Sequence, residues 1–227
     1  MTTIAFLGTG LMGTGFIQRA RANGLTVRAW NRSAAKAQAL AGNDAGVTAC
    51  ASVAQAVQGA ERIHLSLADD ASVDAVLEPL AGALPAGAWV VDHTTTAVRP
   101  TAERVARWDA RGVRYVHAPV FMAPANCAEG TGWMLISGDP ARHWALQPAL
   151  QAMPGSLVNW ARSPSARRPS SCLATSCCWA SWVCWATWAG PPPRGTTLPR
   201  KWSVERIGRS GSSVAPKPRF VACAACR

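Results

Sequence analysis

A glycine-spaced turn constrains this chain more than any other feature. Gly8-Thr9-Gly10-Leu11-Met12-Gly13 lies between an apolar run at 4–7 and a helical pattern that passes through Phe16, Ile17 and Ala20 to a stop at Asn23-Gly24. A strand that turns so tightly into a helix uses its first glycine for the turn and its second for close approach of a phosphate. The third lets the helix pack on the strand. The helix N-terminus offers unpaired N–H groups to the anion. Residues 26–30 read as a second strand and 33–40 as an alanine-rich helix, completing a βαβ unit. In that setting the spacing predicts a dinucleotide pyrophosphate site over Gly8, Thr9, Gly10, Leu11, Met12 and Gly13.

The alternation continues. Ser52 caps a short helix to Val57, 63–67 is a strand, Asp70 precedes a helix to Leu80, and 89–91 is a strand ending at Asp92. A helix over 100–111 and a strand over 114–116 follow. Strands alternating with helices of this length predict an α/β class, a Rossmann doubly wound parallel sheet with right-handed crossovers.

The end of the second strand selects the cofactor. An acidic residue there would bind the ribose 2′-hydroxyl of NAD and repel a 2′-phosphate, but the chain reads Asn31-Arg32-Ser33. Arg32 pairs with a phosphate and Ser33 donates to it, so NADP(H) is expected over NAD. A solvated arginine with no cofactor preference is the plainer alternative.

These residues, with Asp92-His93-Thr94-Thr95, Ala118-Pro119-Val120 and Ala128-Glu129-Gly130-Thr131, resemble the β-hydroxyacid dehydrogenase family over residues 2 to 159. That family includes 3-hydroxyisobutyrate dehydrogenases and has the 6-phosphogluconate dehydrogenase type of NADP-binding domain. The resemblance implies an NADP-dependent oxidoreductase that moves a hydride between the nicotinamide and a small hydroxy acid or semialdehyde. It places Thr95, and Leu67 and Ala68 at the end of the 63–67 strand, beside the nicotinamide. Its substrate signature A-P-V-S-G-G reads here Ala118-Pro119-Val120-Phe121-Met122-Ala123, so the anion-binding serine is replaced by Phe121. The substrate segment is thus Val120, Phe121, Met122 and Ala123, with Asn126 or His117 as sources of polarity. Of the four histidines, His117 is best placed for proton transfer, although a core role is the plainer reading.

The family's general acid is a lysine four residues ahead of an asparagine in a long helix. No K-x-x-x-N exists here: beyond Lys36 the lysines are Lys201 and Lys217, and Ser171 stands at the expected place. No catalytic residue is therefore assigned. The charge of 1–157 is nearly balanced, whereas Glu205 is the only acid of 158–227, so the net +11 sits almost wholly in the tail. The tail also holds six of the eleven tryptophans and six of the eight cysteines, several of them where an apolar helix is expected. Trp and Cys codons begin TG, and a frame starting one base upstream turns each into Leu, Met or Val. Ala180, Val183, Ala186 and Ala189 each follow a Trp and become glycine. With permitted wobble bases the shifted frame also holds K-x-x-x-N, with the lysine at Ser171 and the asparagine at Thr175. The expected organisation is therefore an NADP-binding domain at 1–157 and, at 158–227, a frameshifted remnant of an all-helical substrate and dimerisation domain.

Other readings of the tail are weaker. The uncharged stretch at 172–190 has too many small and hydroxyl residues for a membrane span. The basic, Trp-bearing remainder lacks a recognition fold for nucleic acid. Cys223-Ala-Ala-Cys226 is a lone pair, read as incidental thiols rather than a metal half-site. The start Met1-Thr2-Thr3-Ile4 lacks a signal-peptide pattern, so a cytoplasmic protein with reduced cysteines is expected. The expected partner is a small-molecule substrate, and the resemblance would imply a homodimer. The competing function is a non-catalytic NADP-binding module whose basic tail docks on an acidic partner.

Overall fold

The computed structural model describes residues 2–137 and 139–159. The expected βαβ unit is present as β1 (Thr3–Leu7), α1 (Leu11–Ala22) and β2 (Thr26–Trp30). The chain continues through α2 (Ala34–Asn43), β3 (Val47–Ala49), α3 (Val53–Val57), β4 (Arg62–Leu65), α4 (Asp70–Leu77), β5 (Trp89–Asp92), α5 (Val98–Ala110) and β6 (Arg114–His117). The six strands form one sheet in the order β3-β2-β1-β4-β5-β6, and every pairing is parallel. The order reverses direction between β1 and β4, which opens a crevice at their carboxyl ends. Phe6, Phe16 and Val91 lie in the core on one side of the sheet, and Leu7, Leu65 and Trp108 in the core on the other.

A second, three-stranded sheet follows: β7 (Val120–Phe121), then α6 (Pro124–Glu129), β8 (Trp133–Ile136), α7 (Pro140–Leu150) and β9 (Ser156–Asn159). β7 runs antiparallel to β8, and β8 parallel to β9. Amides of Leu135 and Ser137 bond to the carbonyls of Pro119 and His117, joining β8 to the end of β6.

Several expected boundaries shift for physical reasons. β4 stops at Leu65, so Leu67 and Ala68 lie in the following loop rather than on the strand; Ser66 still donates to the Leu7 carbonyl before the chain leaves the sheet. Asp69, not Asp70, caps α4: its carboxylate accepts from the Ser72 amide at 2.8 Å. Pro79 has no amide to extend that helix, which ends in a 3-10 turn at Glu78–Leu80.

Candidate functional site

The glycine turn sits at the crevice, and its three glycines answer to different constraints. Gly8 has φ +101°, and a Cβ there would fall 2.3 Å from the Ser66 carbonyl oxygen. A Cβ on Gly13 would meet the Gly8 carbonyl oxygen at 2.0 Å. Gly10 is different: its φ of −71° suits any residue, and nothing of the protein lies within 4 Å of a Cβ built on it. Neither strain nor crowding explains that glycine, whereas a group approaching from outside does. Gly10 caps α1 without a side-chain bond, and the amides of Leu11, Met12 and Gly13 have no acceptor among the described residues. The turn therefore presents a cluster of free N–H donors at the positive end of α1, as a pyrophosphate requires.

Thr9 behaves otherwise. Its amide donates to Asn31 Oδ1 at 3.0 Å, and Asn31 Nδ2 donates to the Ser33 carbonyl at 3.1 Å. Asn31 thus ties the glycine turn to the end of β2. Arg32 is exposed beside it, with no hydrogen bond or ion pair among the described residues. Its charge helps hold the Asp69 carboxyl low, after the larger effect of that carboxyl's bonds with Ser72. Ser33 is exposed at the start of α2.

Loops after β4 and β5 meet across the crevice. Leu67 donates its amide to Thr94 Oγ1 at 3.0 Å, and Ala97 donates its amide to Asp70 Oδ2 at 2.8 Å. Asp70 is itself held by Arg104, whose side chain is wholly buried. Thr94 is buried at this junction and Thr96 against Thr101 and His117, which leaves Thr95 exposed between them with Leu67 half-buried and Ala68 exposed. Asp92 anchors the start of the loop, accepting from the Tyr115 hydroxyl at 2.6 Å and the Thr94 amide at 2.9 Å. Burial, and next the Asp92 carboxylate, push the Tyr115 hydroxyl well above its ordinary pKa, so it remains a donor.

Sequence reasoning missed a histidine pair beneath this loop. His93 Nδ1 lies 2.9 Å from the Ala118 carbonyl oxygen, so it carries the proton; His93 Nε2 then accepts from His64 Nδ1 at 3.0 Å. The rings stack with Phe6 and Phe16. Burial pushes His93 down to about 4 and His64 well below its usual range, so both are neutral. A polar residue inside the apolar run of β4 was the available signal. His117 is also a core residue: Nε2 contacts the Thr94 carbonyl at 3.0 Å, and burial lowers its pKa.

The substrate segment follows β6 directly. Val120 and Met122 pack on the main core, and Phe121 packs with Leu135 and Val158 of the small sheet. Ala123 is exposed at the start of α6. The Asn126 amide is engaged on both sides, accepting from the Ala123 amide and donating to Thr131 Oγ1. Ser171, Cys223-Cys226 and the rest of the tail from residue 160 lie outside the described residues. Cys50 and Cys127 are free and buried. Among the described residues no helix is long and apolar enough to cross a membrane.

Comparisons with known proteins agree with this geometry. Residues 3–161 match the family model for the NAD-binding domain of 6-phosphogluconate dehydrogenase. The 3-sulfolactaldehyde reductase of Escherichia coli (strain K12) is 30% identical over 162 residues, which cover 70% of this chain and 54% of that protein. The chain thus spans about half the length of the curated relatives it matches. Among solved structures, Mycobacterium tuberculosis 3-hydroxyisobutyrate dehydrogenase with L-serine aligns with a TM-score of 0.67 at 24% identity, over 81% of this chain and 58% of that one. A Myxococcus stipitatus imine reductase with NADP+ aligns at 0.63 and 24%, over 68% and 53%. A variant of that enzyme holding NAD+ aligns at 0.64 and 21%, over 69% and 54%. These structural likenesses establish the fold.

Proposed function

Because this chain belongs to the 6-phosphogluconate dehydrogenase NAD-binding family, among the β-hydroxyacid dehydrogenases, we propose that it holds NADP(H) for hydride exchange with a small hydroxy acid or semialdehyde. The carrying observation is Gly10, a glycine whose missing Cβ leaves open space in front of free helix-terminal amides. Gly10, Leu11, Met12 and Gly13 bind the pyrophosphate, Gly8 makes the turn, and Thr9 fixes it to Asn31. Arg32 and Ser33 receive the 2′-phosphate: Arg32 is an exposed guanidinium without a committed partner, and β2 ends in no carboxylate. NAD lacks that phosphate and binds less well. Leu67, Ala68 and Thr95 flank the nicotinamide. Bound NADP(H) supplies or accepts the hydride; the chain orients it.

Val120, Phe121, Met122 and Ala123 border the substrate. Phe121 has no hydroxyl to donate, and Asn126 spends its amide on α6, so carboxylate binding is weakened. With serine at position 171, proton delivery to the carbonyl oxygen is absent. Residues 1–157 therefore act as a cofactor-binding domain and 158–227 replace the helical domain, leaving turnover weak or absent. Steady-state assays with NADPH and semialdehydes, or NADP+ and hydroxyisobutyrate, test this. The reading predicts NADPH binding with turnover close to background; brisk turnover by the chain as written would refute the missing acid. The basic tail, with Glu205 as its only acid, favours a second reading as an NADP-binding module docked on an acidic partner. Pull-down of such a partner by the full chain but not by 1–157 would favour that reading.

A further inference from the structure

The amino-terminal end of the main sheet's strands, opposite the glycine turn, holds a buried cation that makes no ion pair among the described residues. Arg62 opens β4, and only 9% of its surface is exposed. Its Nε is buried without a hydrogen-bond partner, and the guanidinium makes no ion pair among the described residues. Glu61, exposed on the same segment, acts on it only at longer range. A guanidinium stays charged in proteins, and a buried charge without a counter-charge is costly. Burial accordingly lowers the Arg62 pKa from its ordinary value.

The same arginine lines a groove of about 450 Å³ whose other walls include Pro85, Trp89, Ala145, Leu146 and Ala149. Trp89 lies opposite Arg62 in the β4–β5 register, and the Arg114 guanidinium sits 5.3 Å from the centre of its ring. The groove thus joins largely apolar walls to the desolvated Arg62 charge, with the exposed Glu61 carboxylate also on its lining. Its residues come from the loops before β4 and β5 and from α7, so it is separate from the crevice at the carboxyl ends of the strands.

We propose that this groove binds a small carboxylate with an apolar body, the carboxylate pairing with Arg62 and the body lying against Trp89 and α7. Because Nε is enclosed, the carboxylate pairs end-on with the two terminal nitrogens of the guanidinium through two parallel N–H···O bonds, while alanine and proline walls leave room for a ring or short chain. The inference stands apart from the cofactor reading.

Calorimetric titration of the full chain with benzoate, and with benzamide as the uncharged isostere, tests it. Benzoate is expected to bind saturably and benzamide not to bind. R62M, which removes a buried unpaired charge, is expected to keep the thermal midpoint while weakening benzoate about tenfold or more. A149F fills the groove without touching the charge and is expected to do the same. If R62M fails to fold, A149F decides alone. Absence of saturable benzoate binding, equal binding of benzamide, or unchanged benzoate affinity in the folded variants would overturn the proposal.

Discussion

At the residue scale, the glycines separate folding from binding. Gly13→Ala drives a Cβ into the Gly8 carbonyl and is expected to cost about 1–3 kcal/mol of stability, read as a lower urea midpoint. Gly10→Ala meets nothing in the protein and is expected to cost no more than about 1 kcal/mol, the difference between the two residues as helix caps, yet to weaken NADPH binding about tenfold or more. A variant that still binds NADPH normally would remove the argument from Gly10. The sequence made the turn legible because glycine spacing reports backbone requirements. It did not show how Asn31 and Asn126 are used, because residue type does not name a hydrogen-bond partner: Asn31 holds Thr9 and Asn126 holds Ala123.

At the scale of elements, the six-stranded sheet was legible wherever a strand carries four or five mostly apolar residues, as in β1 and β5. β3, three residues long, and β7, two residues long, fall below what periodicity detects, and β8 and β9 of the small sheet also went unread. Helix α4 meets α5 through a ladder in which Arg104 bonds Asp70 and Asp74, and Arg107 bonds Asp74 and Glu78. Replacing buried Arg104 by methionine removes a partner from Asp70 and Asp74, which stay partly exposed, with Arg107 still on Asp74, and is expected to cost about 1–3 kcal/mol. It should also loosen the Ala97–Asp70 tie and lower NADPH affinity. Burial raises the Asp74 carboxyl, but bonds and charge from Arg104 and Arg107 outweigh it, so the ladder's contribution is lost only as pH falls through that lowered pKa. The His64–His93 pair acts earlier. The unfolded chain takes up the His93 proton near the ordinary 6.5 and the folded chain only at about 4. Stability should therefore fall through that interval as pH drops; urea midpoints that stay flat across it would contradict the neutral pair.

At the scale of the whole molecule, a cofactor-binding domain is joined to a tail of a different chemical character. The curated relatives extend well beyond the matched 162 residues, and in this chain Glu205 is the only acid after residue 157. If one base was lost from the coding sequence, DNA around codons 155–165 should leave the upstream-shifted frame open through the Ser171 position, with a lysine codon there. A stop codon before that point would end the frameshift account. The central claim is the cofactor site itself, and fluorescence titration of the full chain with NADPH and NADH tests it most directly. Saturable NADPH binding, about tenfold or more tighter than NADH because of Arg32, is the predicted result. No saturable binding of either nucleotide would contradict it.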